Sequence, residues 1–147
     1  MRATVLGAAQ VCPCGGLPAH TGRLTKALPY TECCGRFIDH WDTPAPDSEH
    51  LMRSRYSAFV LERADYLLVT WHASTRPASL DFAPRARWLG LEVLAFTSGP
   101  APDTATVHFV ARYRVAGKAV RMTETSRFVR EPVQGVARWF YVEGDQA

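Results

Sequence analysis

Between Glu49 and Pro77 apolar residues recur with a helical period. Leu51, Met52, Tyr56, Phe59 and Val60 fall at steps of three and four, one face of a 3.6-residue helix. Asp47 or Ser48, just after Pro44 and Pro46, is the expected N-cap. Arg55 shares the apolar face, so its guanidinium must meet an anion or carbonyl oxygens, because unpaired burial is costly. A second helical piece, from residue 65 to residue 72, carries Leu67, Leu68 and Trp71. It is expected to stop before Arg76-Pro77, where proline disfavours helix at the preceding residue.

From Trp88 onward the period changes to two. Residues 88–96 read as a strand and 98–103 as a loop. Residues 104–115 place Val107, Phe109, Ala111, Tyr113 and Val115 on one side. After a turn at Gly117-Lys118, residues 119–130 place Val120, Met122, Glu124, Ser126 and Phe128 together. Gln134-Gly135 marks another turn, and 136–142 a last strand. Short connections mean antiparallel pairing. Helices followed by such strands predict an α+β fold with the helices on one face of the sheet.

Composition adds little to this picture. The 147 residues fit one domain with a small appendage. A net charge of +3, with basic residues spread along the chain, does not point to nucleic acid. No apolar run reaches bilayer length. The segment 1–11 is too short for a secretory leader and is interrupted by Gln10. A cytoplasmic protein is therefore expected, and there four cysteines are not expected to form two disulfides.

The cysteines change the picture. All four lie in two tight pairs, Cys12 with Cys14 and Cys33 with Cys34. Zinc takes four soft ligands in a tetrahedron, and two close pairs joined by one chain reversal can supply them. Gly15-Gly16 and Gly35 let the backbone turn after each pair. The bland alternative is four reduced thiols packed without metal.

The residues Leu51-Met52-Arg53-Ser54-Arg55-Tyr56, Asp65-Tyr66-Leu67-Leu68 and Thr70-Trp71-His72 with Ser74-Thr75-Arg76-Pro77 resemble the signature of the YchJ family. The resemblance implies a nuclear-transport-factor-2-like cone, a curved antiparallel sheet wrapped on N-terminal helices. It also implies an N-terminal SEC-C-like zinc knuckle with Cys12, Cys14, Cys33 and Cys34 as ligands. The expected division is residues 1–46 for knuckle and linker and 47–147 for the cone. Residues 47–147 are expected to stay folded alone. The sequence departs from the family in its spacer, where residues 17–26 look inserted. Adjacent Cys33 and Cys34 are also awkward on one metal, and His20 or His40 could replace one of them.

Glu124 shares its strand face with Val120, Met122 and Phe128, so it is expected to face the core and to pair with Arg55 or carry a raised pKa. Tyr56, Trp71, His72, Trp88 and Tyr141 are candidates to line the same space. The alternatives are a ligand pocket with Glu124 as base or anchor and a buried pair tying helix to sheet. Arg53 lies off the apolar stripe. It reads either as a surface salt-bridge residue or, with Arg76, as an anion site. Two functions stay open. One is a binding or adaptor module whose zinc knuckle contacts a protein or ribosomal partner, as the comparable motif of SecA does. The other is a small-molecule-binding protein or an isomerase- or dehydratase-like enzyme using the cone. The chain could be a monomer or a homodimer.

Overall fold

A computed structural model describes residues 10–15, 28–82 and 86–146. His20, residues 17–26 and residues 1–9 lie outside the described residues. A 3-10 turn, Tyr30–Glu32, leads into a one-turn helix α1, Gly35–Ile38. Helix α2 spans Ser48–Val60 and α3 spans Ala64–Val69. Four strands follow: β1 Arg87–Ser98, β2 Thr104–Val115, β3 Lys118–Val133 and β4 Val136–Gln146. They form one antiparallel sheet in the order β1-β2-β3-β4.

Asp47 caps α2, its carboxylate accepting the His50 backbone N–H at 2.7 Å. The segment after Cys34, expected as linker, instead makes α1, which buries Phe37 and Ile38. Helix α3 ends earlier than its apolar spacing predicts. Trp71 leaves the helix to bridge Tyr141 of β4, through Tyr141 N–H to Thr70 O (2.8 Å) and His72 N–H to Tyr141 O (2.7 Å). Tertiary pairing overrides the local helical pattern there.

Helix α2 lies against β1, β2 and β4, so the sheet reaches around it from one edge strand to the other. Register shifts in β1 between Trp88 and Gly90 and between Val93 and Ala95 mark bulges, as does one between Arg127 and Phe128. Bulges bend a sheet and sharpen its twist. The inward face is the predicted one, with Val107, Phe109, Ala111, Ser126 and Phe128 buried.

Almost every residue of α2 is buried, so its surroundings differ by side. Met52, Arg55, Tyr56 and Phe59 face the concave sheet. Glu49, Arg53 and Ser57, spaced by four, belong to the cysteine side. Ser54 bonds Tyr66 of α3 at 2.8 Å. Residues on both sides of position 47 share one buried cluster, in which Cys12, Cys14, Tyr30, Phe37 and Ile38 join Leu51, Met52 and Tyr56. That packing opposes an independent 47–147 unit.

Candidate functional site

Two sites flank α2. On one side the four cysteine sulfurs lie within 4.8 Å of one another, all buried. Cys14 Sγ and Cys33 Sγ are 3.5 Å apart. Tetrahedral zinc with sulfurs about 2.3 Å away separates them by roughly 3.8 Å, so the cluster is near the size a metal ion requires. The adjacent Cys33-Cys34 pair is accommodated because Cys33 ends the 3-10 turn and Cys34 starts α1. His40 is exposed and lies outside the group.

The helix supports this cluster. Cys12 Sγ meets Ser57 Oγ at 3.5 Å. Arg53 donates to the Cys14 carbonyl at 3.1 Å and to Glu49 at 2.9 Å. Arg53 is therefore not the surface residue that its place off the apolar stripe predicts; it is 4% exposed. Hydrogen bonds from the neighbouring thiols, Cys14 first, hold the Cys12 thiol well below its ordinary pKa. Burial pushes Cys34 up. A buried set of four soft donors fits a tetrahedral metal and could hold one.

On the other side a cavity of about 270 Å³ opens between α2 and the sheet. Arg55, Tyr56, Trp71, Trp88, Glu124 and Tyr141 line it. Rings and thioethers make up much of the remaining wall, among them Phe59, Phe109, Phe128, Met52 and Met122, with Ala111, Ser126 and Gln146 beside them. His72 faces elsewhere. Its Nε2 meets Glu131 Oε2 at 2.9 Å and its Nδ1 meets Ser74 Oγ at 2.7 Å, which fastens the Thr70–Pro77 turn to β3.

Arg55 and Glu124 do not pair; among the described residues no ion pair joins them. Arg55 Nη1 donates to Leu67 O and Thr70 Oγ1, both at 2.7 Å. The guanidinium lies over the rings of Trp71 (5.1 Å) and Tyr141 (4.5 Å). Burial lowers its pKa to about 10, so it remains cationic at neutral pH. Glu124 instead accepts from Ser126 Oγ at 2.6 Å. A Cβ on Gly144 would collide with the Glu124 carboxylate, so that glycine makes its room. The Trp71 Nε1–H is buried without a hydrogen-bond partner among the described residues.

Arg76, expected beside Arg53, is exposed and donates from Nε to the Trp71 carbonyl at 2.9 Å. Arg53 and Arg76 thus serve different carbonyls on different sides of α2. The sequence reading missed a second groove, lined in part by Trp41, Trp139 and Arg138. Exposed Trp41 in a Pro/Asp-rich stretch is the one signal that could have pointed to it.

A curved four-stranded sheet over a buried helix, with a cysteine cluster at its N-terminal side, defines an NTF2-like protein with a cysteine motif that could hold a metal. Residues 47–144 match the family model described as YchJ, middle NTF2-like domain, and this chain belongs to that family. It is 58% identical to a UPF0225 protein of Polaromonas naphthalenivorans, over 92% of this chain and 96% of that one. A UPF0225 protein of Chromobacterium violaceum is 48% identical over 90% of each. A solved SEC-C motif containing protein from Psychrobacter arcticus superposes with a TM-score of 0.77 at 31% identity, covering 92% of this chain and 82% of that one. Another, from Rhodopseudomonas palustris, gives 0.71 at 29%, covering 94% and 99%. No helix of the described residues is long and apolar enough to cross a membrane.

Proposed function

We propose that this chain binds a small organic ligand in the cone cavity and carries a structural zinc ion at Cys12, Cys14, Cys33 and Cys34. The observation that carries the ligand reading is Arg55. It is a buried guanidinium pressed between two rings, it has no carboxylate partner among the described residues, and it lines a cavity. Among the described residues Glu124 in the same wall has only a hydroxyl as hydrogen-bond partner. A cavity of about 270 Å³ takes a molecule of roughly one or two rings. Its ligand has a flat apolar body and a head that accepts from Arg55 and donates to Glu124.

Zinc suits the sulfur site because it is borderline-soft and indifferent to d-electron geometry. Four thiolates leave no place for water, so the ion ties the N-terminal segment to α2 rather than acting on substrate. Four reduced thiols fit the cytoplasm. The burial of these sulfurs favours this role over a docking knuckle for a protein or ribosomal partner.

The test is a titration of the purified chain with a panel of aromatic amides and acids, followed by the Trp71 and Trp88 indole resonances. Ala111 lines the cavity, so Ala111→Phe fills it. Binding that shifts those resonances and disappears in Ala111→Phe is the expected result. Shifts that survive the substitution, or no binding by any member, defeat the ligand reading. Elemental analysis of protein purified without a histidine tag should give one zinc per chain.

A further inference from the structure

The second groove has a different chemistry. It encloses about 600 Å³ between the Phe37–Ala45 stretch, α3 and the β3–β4 hairpin. Trp41, Val69, Trp139 and Phe140 supply apolar walls. Among the described residues two cations line it, Arg76 and Arg138, and no aspartate or glutamate does.

Both arginines are held by one edge only. Arg138 Nη1 donates to Trp41 O at 2.9 Å, and Arg76 Nε donates to Trp71 O at 2.9 Å. Among the described residues neither makes an ion pair. Each therefore keeps a pair of N–H donors, Nε and Nη2 in Arg138 and the two terminal nitrogens in Arg76. A pair of parallel N–H groups matches the two oxygens of a carboxylate. The carbonyl anchors also fix each guanidinium before any ligand arrives, which lowers the ordering cost of binding.

An independent observation points to the same place. Trp139 lines the groove, and its Nε1–H is buried with no hydrogen-bond partner among the described residues. A buried donor without an acceptor is a standing cost that an acceptor in the groove removes. Apolar walls, two half-used guanidiniums and an unpartnered indole N–H together call for an anion on an apolar body.

We infer that this groove is a binding site for apolar carboxylates, separate from the cone cavity. The carboxylate sits on the Arg76 and Arg138 guanidiniums, in a groove that Trp139 also lines, and the apolar body lies along Trp41 and Phe140. Such a carboxylate could be that of a free organic acid or the C-terminus of an apolar peptide. The same donors read both.

The test uses the full chain and 4-phenylbutyrate, followed by the indole N–H resonances of the four tryptophans. Trp139 is expected to shift most, with Trp41 beside it. The uncharged 4-phenylbutyramide should bind about tenfold more weakly, the loss for one charge-assisted contact. Arg138→Gln and Arg76→Gln should each weaken the acid by about the same factor and leave the amide unchanged. Both side chains reach solvent, and an unchanged amide spectrum shows that each variant is folded. An acetylated tetrapeptide ending in Phe, with free and amidated C-termini, separates the sources. Tighter binding by the free-ended peptide than by 4-phenylbutyrate assigns a peptide C-terminus, and the reverse assigns a free acid. Equal affinity of acid and amide overturns the site. So do shifts confined to Trp71 and Trp88, and tighter binding of phenyl phosphate than of the carboxylates.

Discussion

The two sides of α2 are built on opposite terms. Toward the cysteines the polar side chains of α2 meet fixed partners. Arg53 has Glu49 and the Cys14 carbonyl, and Ser57 has Cys12. Toward the sheet the same helix presents Arg55 with ring faces, a carbonyl and a hydroxyl, a carboxylate that does not pair with it, and space. Residues 53 and 55 are two positions apart and both about 95% buried. One arginine closes a structural joint; the other stands in the wall of a cavity. Burial alone therefore does not decide whether a charged residue is structural. What its charge meets does: a carboxylate for Arg53, ring faces and a cavity for Arg55.

The largest effects should come from the saturated side. Cys33→Ser, or stripping metal with a chelator, should cost roughly 4–5 kcal/mol in urea unfolding, at the extreme end for one change. Deleting residues 1–46 should abolish cooperative unfolding, because it removes Tyr30, Phe37 and Ile38 as well as the cluster. A sharp two-state transition in that truncation would restore an independent cone. Metal release should follow acidification, since ligating thiolates must be protonated for the ion to leave.

Arg53→Met strands buried Glu49 and should cost about 3–5 kcal/mol, recovered in part by adding Glu49→Gln. Across the helix, Arg55→Met and Glu124→Gln should add within about 0.5 kcal/mol in a double-mutant cycle, because they answer to different partners. A coupling of several kcal/mol would mean that the two sides are built alike.

The smallest effect should be at the helix start, which serves both sides. Asp47→Ala should cost about 1 kcal/mol of stability. Desolvation opposes ionisation of Asp47, but the hydrogen bonds from His50 outweigh it and hold its pKa below the ordinary 3.8. A depressed folded value means that the cap stabilises above the unfolded value and is lost as pH falls through the folded one. The wild-type advantage over Asp47→Ala should therefore be flat at neutral pH and vanish only in strong acid.

Much of this was readable in the chain. The alternation along β2 and β3 named the inward face because Val107, Phe109, Ala111, Ser126 and Phe128 fall on it and are buried. It put Arg55 and Glu124 on facing surfaces, but periodicity assigns a face and not a neighbour, and the pairing drawn from it failed. Arg53 departs from the place its spacing predicts because the apolar stripe is not the only buried side of the helix. The small residues Ser54, Ser57 and Ala58 were the available sign that other elements approach closely. Helix α1 is a single turn, too short to show a period, and the end of α3 was decided by Tyr141, far along the chain.

The bridge between Trp71 and Tyr141 also orders events in time. During synthesis the cysteines and α2 leave the ribosome in the first half of the chain, so their joint can form, and can take up metal, while later strands are still missing. The ring cage around Arg55 cannot. Tyr141 belongs to the final strand, and until it emerges Arg55 lacks one of its two aromatic faces and Thr70 O lacks its donor. The cone is thus finished last, by a contact of long sequence separation whose loop must close late. A chain stalled before β4 would carry a formed cysteine joint beside an open half-cone, a state that pulsed cysteine labelling on arrested chains could register.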